Sequence, residues 1–478
     1  GVVANPGGER VVLPVPGGET TIERADLKVD FGGAGGDEWS ANVVAQKFAN
    51  GEFAAREVGI SASGVAANLT DASQRRITFN ADGSISGIAS EDEGVTAALG
   101  DSAGFGLAGL WSAGEPIRLA ELRVVGKALT LALAGDIDDG VFDGTVGIET
   151  SSIAPFSGLA GRELSGAMSL AAKGTLSPLI GGFDLTLDGT ADDLQVSEPA
   201  LDRVLAGRVS LAGRVARNEQ GLLAQGFRLG NDKVSIAADG TFATGAAAFS
   251  FGAELADLGL VADNASGRLQ LTGSARGQGT IALELDGRVP SGRLAGKAVD
   301  DARFGFSGTL AEDGRLSGAL SGDAALDRQG VTLAGDLSSD DTGRRLSGLR
   351  FTAGVTRLEG DVVQDAEGLL SGQLTLQSPD ISTAAALTAI TASGSANAEV
   401  TLSAASGRQS AQVLGRVEGL SAGDVRVGSA DIRATLSDLF GTPAIEGTVA
   451  ARALTAAGVT VDQLDAEASQ SGDTTNFT

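Results

Sequence analysis

Carboxylates are the side chains here best suited to chemistry: the 478-residue chain has 61 Asp and Glu but neither His nor Cys. The commonest general base and the best thiol nucleophile are therefore both missing, as are the thiolate ligands of zinc and iron–sulfur sites. Paired carboxylates could run glycosidic acid–base chemistry, yet among so many acids no pair stands out by its spacing. Gly104-Phe-Gly-Leu-Ala-Gly109 matches the dinucleotide fingerprint, but a chain this rich in glycine yields about 1.6 such matches by chance. The Leu110-Trp-Ser-Ala-Gly-Glu-Pro116 that follows offers no helix N-terminus for a pyrophosphate. Gly32-Gly-Ala-Gly-Gly-Asp37-Glu-Trp39-Ser40 fits a calcium nonapeptide, whose shared ions require tandem copies; one copy reads as a loop before a strand. Asp136-Ile-Asp138-Asp139-Gly140 starts like an EF-hand loop with its glycine one place early, and reads as a hairpin tip. Ser90-Glu91-Asp92-Glu93 reads the same way. No catalytic, cofactor-binding or metal-ligating residue is assigned, no cofactor is expected, and the chain is expected not to be an enzyme.

The elements that would position any site are strands. Phe183-Asp-Leu-Thr-Leu-Asp188, Leu129-Thr-Leu-Ala-Leu133, Ile281-Ala-Leu-Glu-Leu285, Leu374-Thr-Leu-Gln377 and Val400-Thr-Leu-Ser403 alternate apolar and polar residues with period two, the pattern of a strand with one buried and one wet face. Seven Asp-Gly dipeptides, at Asp82, Asp139, Asp143, Asp188, Asp239, Asp286 and Asp313, are expected to form tight hairpins. Short connections make neighbouring strands antiparallel. Leu-Ser-Gly recurs at 164–166, 316–318, 346–348 and 370–372 as a turn or strand entry, a loose internal repeat. Helices are expected only at Glu198–Ala206, where Pro199 suits a first turn, and at Ser382–Ile390. The expected fold is all-β: an elongated, repetitive sheet of many short, mostly antiparallel strands, a taco-like or β-solenoid groove. Three β-repeat segments are expected, 1–197, 198–380 and 381–478, the second opened by a short helix, along one continuous rod.

Composition narrows the function classes. Of 478 residues 71 are Gly and only 19 aromatic (17 Phe, 2 Trp, no Tyr), while the apolar fraction of 42% is mostly Ala, Leu and Val. Such thin side chains suit a shallow repeated surface better than a deep core. They also lack the aromatic girdles of a transmembrane barrel. The net charge of −26 excludes a phosphate-neutralising stripe for nucleic acid and argues equally against attraction to anionic lipid headgroups. No run of 18 apolar residues is present.

Pro199-Ala-Leu-Asp-Arg-Val-Leu-Ala-Gly-Arg-Val-Ser-Leu211, then Gly221-Leu-Leu-Ala-Gln-Gly-Phe-Arg-Leu-Gly230, then Val234-Ser-Ile-Ala-Ala-Asp-Gly-Thr241 give a short helix, a strand, a Gly-Leu hairpin and an alternating strand. Ile381–Ile390 leading into Gly394–Leu402 repeats that plan, and so does Ile445–Val461 with Leu464–Glu467. This succession resembles the TamB family, the translocation and assembly module proteins, and their AsmA-like, bridge-like lipid transport relatives. The resemblance is of pattern, covers nearly the whole chain and is clearest from Leu185 onward. It implies a long open β-sheet with a greasy concave face, anchored in the inner membrane by a helix and crossing the periplasm. It further implies phospholipid transport between the inner and outer membranes, and outer-membrane protein and autotransporter insertion and secretion with a TamA-type barrel partner. The chain is expected to be a central piece of such a protein, without its membrane helix or C-terminal domain.

In that reading Leu129, Leu131, Leu133, Leu185, Leu187, Leu283, Leu285, Leu374 and Leu376 line a channel that holds phospholipid acyl chains by area burial alone. Two alternatives stay open. Two sheet walls could bury those faces against each other in a dry solenoid. The chain could also be an extracellular adhesin or autotransporter passenger, a mainly parallel solenoid that binds through its loops.

Overall fold

Alternation at period two turns almost every segment into strand. The computed structural model describes residues 1–478 except 5–9, 14–18, 33–35, 440–443, 472–473, Glu52, Leu179, Ala295, Ala389, Ser406 and Ala457, so most of the glycine-rich loop from Gly32 to Asp37 lies outside the described residues. Among the described residues there are 32 strands, most of 8 to 15 residues, with four short α-helices and two 3-10 turns. No helix among them is long and apolar enough to cross a membrane. The chain falls into two units, Gly1–Thr241 and Phe242–Thr478.

In each unit, successive strands pair antiparallel with their sequence neighbours. The first unit runs strand by strand from Arg24–Phe31 to Gly221–Gly230. The second runs from Ala246–Leu255 to Val459–Ser471. No described pairing joins an early strand to a late one within either unit, so neither sheet closes into a barrel. The fold is all-β and repetitive, as the alternation predicts, and every described ladder is antiparallel.

Turn chemistry follows the sequence in some places and departs from it in others. Asp139 and Gly140, at φ 45° and 80°, make the two-residue turn between Leu129–Asp138 and Val141–Thr150, the mirror-image geometry that matches strand twist. Asp313-Gly314 also lies in a turn. The other five Asp-Gly pairs do not: they fall inside strands, the aspartate on one face and the glycine on the other. At Gly83 and Gly287 the glycine is needed for space instead, whereas Gly240 has φ +127°. A Cβ on Gly83 would meet the Phe105 ring at 2.3 Å, and one on Gly287 the Phe304 ring at 2.1 Å. A ring lying over a bare glycine of the next strand covers backbone that no side chain of its own can shield.

Three bulges share one design. Gly226, Gly348 and Gly419, at φ +57°, +58° and +61°, each add one residue opposite Gly213, Gly335 and Gly394. The apolar residues step by three across each, from Ala224 to Phe227, Leu346 to Leu349 and Val417 to Leu420, and the extra residue keeps both on one face. In two of them the freed backbone N–H donates to an aspartate of the following strand: Gly226 N to Asp239 Oδ1 at 2.6 Å, Gly348 N to Asp361 Oδ1 at 2.7 Å. Leu346-Ser-Gly348 is thus a bulge, whereas the other three Leu-Ser-Gly copies enter strands.

The helices gather at one rim of each unit, because each replaces a connection after every second strand. Pro199–Leu205 and Ser382–Leu387 stand where expected. Glu93–Leu99 was not expected: Ser90-Glu91-Asp92-Glu93 is no hairpin tip but a helix start, with Asp92 Oδ1 accepting from Gly94 N at 2.7 Å. Its last carbonyls accept from the next hairpin, Lys127 N to Leu99 O and Ala128 N to Ala98 O, so the short helix is tied at both ends.

Candidate functional site

Residues directly opposite in a ladder point to the same face, so the registers can be read across the sheet as rows. In the first unit one row runs Leu27, Val43, Ile60, Gly83, Phe105, Val124, Leu131, Ile148, Leu170, Gly189, Leu211, Leu229. In the second a row runs Ala253, Leu271, Gly287, Phe304, Gly322, Leu333, Phe351, Leu358, Leu376, Ala398, Gly415, Ile432, Val449, Ala466. Neither contains a polar side chain.

One residue along each strand of the second unit lies the reverse face, where Glu254, Gln270, Arg288, Arg303, Asp323, Thr332, Thr352, Arg357 and Gln377 form the matching row. Ion pairs knit this polar face across strands. Arg214 Nη2 reaches Asp184 Oδ2 at 2.6 Å, and Asp301 takes Arg288 at 2.7 Å and Arg303 at 2.6 Å. The hydrogen bonds from Arg214 hold the Asp184 carboxyl below the ordinary carboxylate range, and those of Arg288 and then Arg303 do the same for Asp301. These are wet surface pairs that fix register more than they stabilise.

All nine leucines expected from alternation lie on the apolar face, and all are half-buried. Leu131 and Leu376 belong to the two rows given above. Leu133 and Leu187 share the adjacent row with Val146 and Ala172, and Leu185 stands between Gly174 and Val215. Leu129 ends its strand opposite Thr150. Leu285 lies between Gly273 and Phe306, Leu283 between Ala275 and Gly308, and Leu374 between Gly360 and Val400. Alternation alone does not reveal the phenylalanines over glycines or the bulges that hold the rows straight. Glycines inside strands were their only trace in the sequence.

Little covers this face. The chain exposes 27146 Å², against roughly 20,000 Å² for two separate compact globules of half its mass. Its fully buried apolar residues are mostly alanines, and the described core clusters are small: Ile22, Ala25 and Ala45 in one, Val427, Ala430 and Ala451 in the other. Phe304 and Leu333 remain 42% and 37% exposed in the middle of their row. Polar groups that do enter the face are satisfied at strand ends. Gln409 donates to Leu370 O and accepts from Leu370 N, and Thr356 and Ser378 share a buried hydroxyl pair at 2.6 Å. Among the described residues the one buried side-chain donor without a partner is Trp39 Nε1, which lies over Gly64.

No group of acidic side chains among the described residues could hold a metal ion. Gly104–Gly109 lies within the strand Ser102–Ser112, with no helix behind it. The arrangement can bury hydrocarbon along its rows. Fold and face together define a class: an all-β protein of open antiparallel sheets, each unit carrying a continuous apolar row on one face. No family model, curated protein or solved structure matches the chain.

Proposed function

We propose that the apolar face carries phospholipid acyl chains, in a periplasmic protein that bridges the inner and outer membranes in the manner of the TamB family. The observation that carries this reading is an unbroken apolar row in each unit, with Phe304 and Leu333 still 42% and 37% exposed in the middle of theirs. A surface that must pass many similar chains along its length needs area and uniformity, not a stereospecific pocket. Each methylene removed from water contributes about 0.8 kcal/mol, so an acyl chain lying across several half-buried leucines is held firmly yet can shift from row to row. The antiparallel ladders support this reading over the adhesin or passenger, for which a mainly parallel solenoid is expected. In this proposal the protein is anchored in the inner membrane, works with an outer-membrane barrel of the TamA type in inserting and secreting outer-membrane proteins, binds no nucleic acid and catalyses no reaction.

The test is native mass spectrometry with lipid extraction on the chain purified from a periplasmic expression host. Several co-purifying phospholipids are expected. Leu283→Asp with Leu285→Asp places two carboxylates in the face beside Phe306 and should reduce the bound lipid several-fold while the far-ultraviolet circular dichroism stays that of a β-sheet. A folded wild-type protein that takes up no lipid after incubation with liposomes would overturn the proposal.

A further inference from the structure

The total charge of −26 hides how the charges are divided between the faces. None of the residues that the ladders place on the apolar face is acidic. Three are basic, and each stands at a strand end. Arg217 is opposite Phe183 and Leu222, Lys297 opposite Leu294, and Arg344 opposite Ser339 and Gln364. Lys297 is held by Asp327 at 3.4 Å. Arg217 and Arg344 are exposed and have no ion pair or side-chain hydrogen bond among the described residues, unlike Arg214 and Arg288 on the reverse face, which are paired.

From this arrangement we infer that Arg217 and Arg344 receive the phosphate of an anionic amphiphile whose acyl chain lies along the apolar face. The inference rests on the lipid-carrying reading and adds a preference for headgroup charge. Each arginine lies at the rim of its own unit opposite the helices, where the apolar face ends. From Arg217 to Val209, near the other end of the same strand, the face is about 27 Å long at the usual rise per residue. That exceeds the roughly 15 Å of hydrocarbon in one bilayer leaflet, so a chain with its head at Arg217 fits along the strand. Around Arg217 the partners are apolar: Phe183 in register, Leu222 at 51% exposure, and Ile180 at 79% on the neighbouring hairpin tip. A guanidinium in such surroundings can give a phosphate two parallel hydrogen bonds, with Glu219 in the adjoining hairpin turn as the neighbouring charge in sequence.

Around Arg344 the rim is more polar. On the reverse face of the same rim, Arg345 and Arg315 border a hollow of about 450 Å³ with the hydroxyls of Ser317, Ser338 and Thr342, and Arg344 reaches its edge. Of the carboxylates at this rim, Asp313 pairs with Arg315 at 2.7 Å, Asp340 accepts from Thr342 Oγ1 at 2.6 Å and keeps its charge, Asp341 lies in the same turn and Asp365 stands opposite Gly343. The acidic residues on the reverse face act on a headgroup at the rim only through solvent, which screens charges beyond about 8 Å at physiological salt.

The experiment is lipid uptake by the whole chain from vesicles of phosphatidylglycerol, phosphatidylcholine or an equal mixture, read by lipid extraction and mass spectrometry, with inorganic phosphate as a separate competitor. The wild type should take phosphatidylglycerol about five-fold over phosphatidylcholine for each arginine engaged, the factor expected for one basic residue beside an anionic lipid. Arg217→Gln with Arg344→Gln should abolish the preference and leave phosphatidylcholine uptake unchanged, and high salt should weaken it. Millimolar phosphate that lowers phosphatidylglycerol uptake without touching phosphatidylcholine uptake would confirm headgroup capture at the arginines. Equal uptake of both lipids by the wild type, or a preference that survives the double substitution, overturns the inference while leaving acyl-chain carriage intact. No uptake of either lipid overturns both.

Discussion

Gly287 and Gly322 flank Phe304 in one register row of the second unit, and substituting each with alanine should have opposite effects. The ring leans one way only. A Cβ on Gly287 would sit 2.1, 2.4 and 2.4 Å from three ring carbons, whereas a Cβ on Gly322 would find its nearest atoms at 3.4, 3.5 and 3.9 Å, ordinary contact distances. Neither glycine has a positive φ, so backbone strain does not enter. Gly322→Ala should therefore gain from the reduced freedom of the unfolded chain, about 0.4 to 1 kcal/mol. Gly287→Ala forces the ring off the strand. Fully burying a Phe side chain stabilises by roughly 1.5 to 3 kcal/mol, and a ring still 42% exposed keeps about half of that. After the same unfolded-state gain, Gly287→Ala should cost a net ~0.4 kcal/mol, a spread of about 1 between the variants. Repeat sheets open locally, so the assay is amide hydrogen exchange over Thr280–Leu294 and Lys297–Leu310, with urea midpoints alongside. In a Phe304→Ala background the two glycines should become equivalent. Equal effects of the two substitutions with Phe304 present would refute the idea that the ring shields bare backbone on this face.

Two further outcomes follow from polar contacts. Arg214 lowers the Asp184 pKa, and a carboxyl whose folded value is depressed adds stability above its unfolded pKa and loses it as pH falls through the folded one; Arg214→Gln should therefore flatten the acid limb of a urea-midpoint profile below about pH 4, by a small amount because the pair is wet, and an unchanged limb would count against the pair. Asp239→Ala and Asp361→Ala each strip the acceptor from a bulge glycine N–H, and each should destabilise its own unit by about 1 kcal/mol, read as faster exchange at Gly226 or Gly348; no change at those amides would show that water replaces the carboxylate.

Much of the fold is legible along the chain because a strand's side-chain period is two. Leu129-Thr-Leu-Ala-Leu133 and Ile281-Ala-Leu-Glu-Leu285 announce their apolar face without any partner, and all nine leucines named from such stretches stand on it. The short helices at Pro199 and Ser382 are local as well. Asp-Gly misleads at five of seven positions because the dipeptide has two physical uses. One is a turn that needs positive φ, as at Asp139-Gly140. The other is a strand position where a neighbour's ring occupies the space of a Cβ, as at Asp286-Gly287, and only the register across strands distinguishes them. Asp92 misleads because a capping aspartate and a solvated loop aspartate look alike until the following backbone N–H is placed.

What the sequence determined by itself is which residues are apolar, how they alternate, and that no imidazole or thiol is present for chemistry. What the tertiary structure decided is alignment: that one residue in every strand meets its counterpart in the next, that bulges at Gly226, Gly348 and Gly419 restore the face where alternation slips, and that the charges on this face are basic and stand at its ends. Alternation is a property of one strand and is fixed by the geometry of the pleat. Register is a property of two strands, set by hairpin length, bulges and the fit of Phe304 over Gly287, and those terms exist only once the neighbours have met.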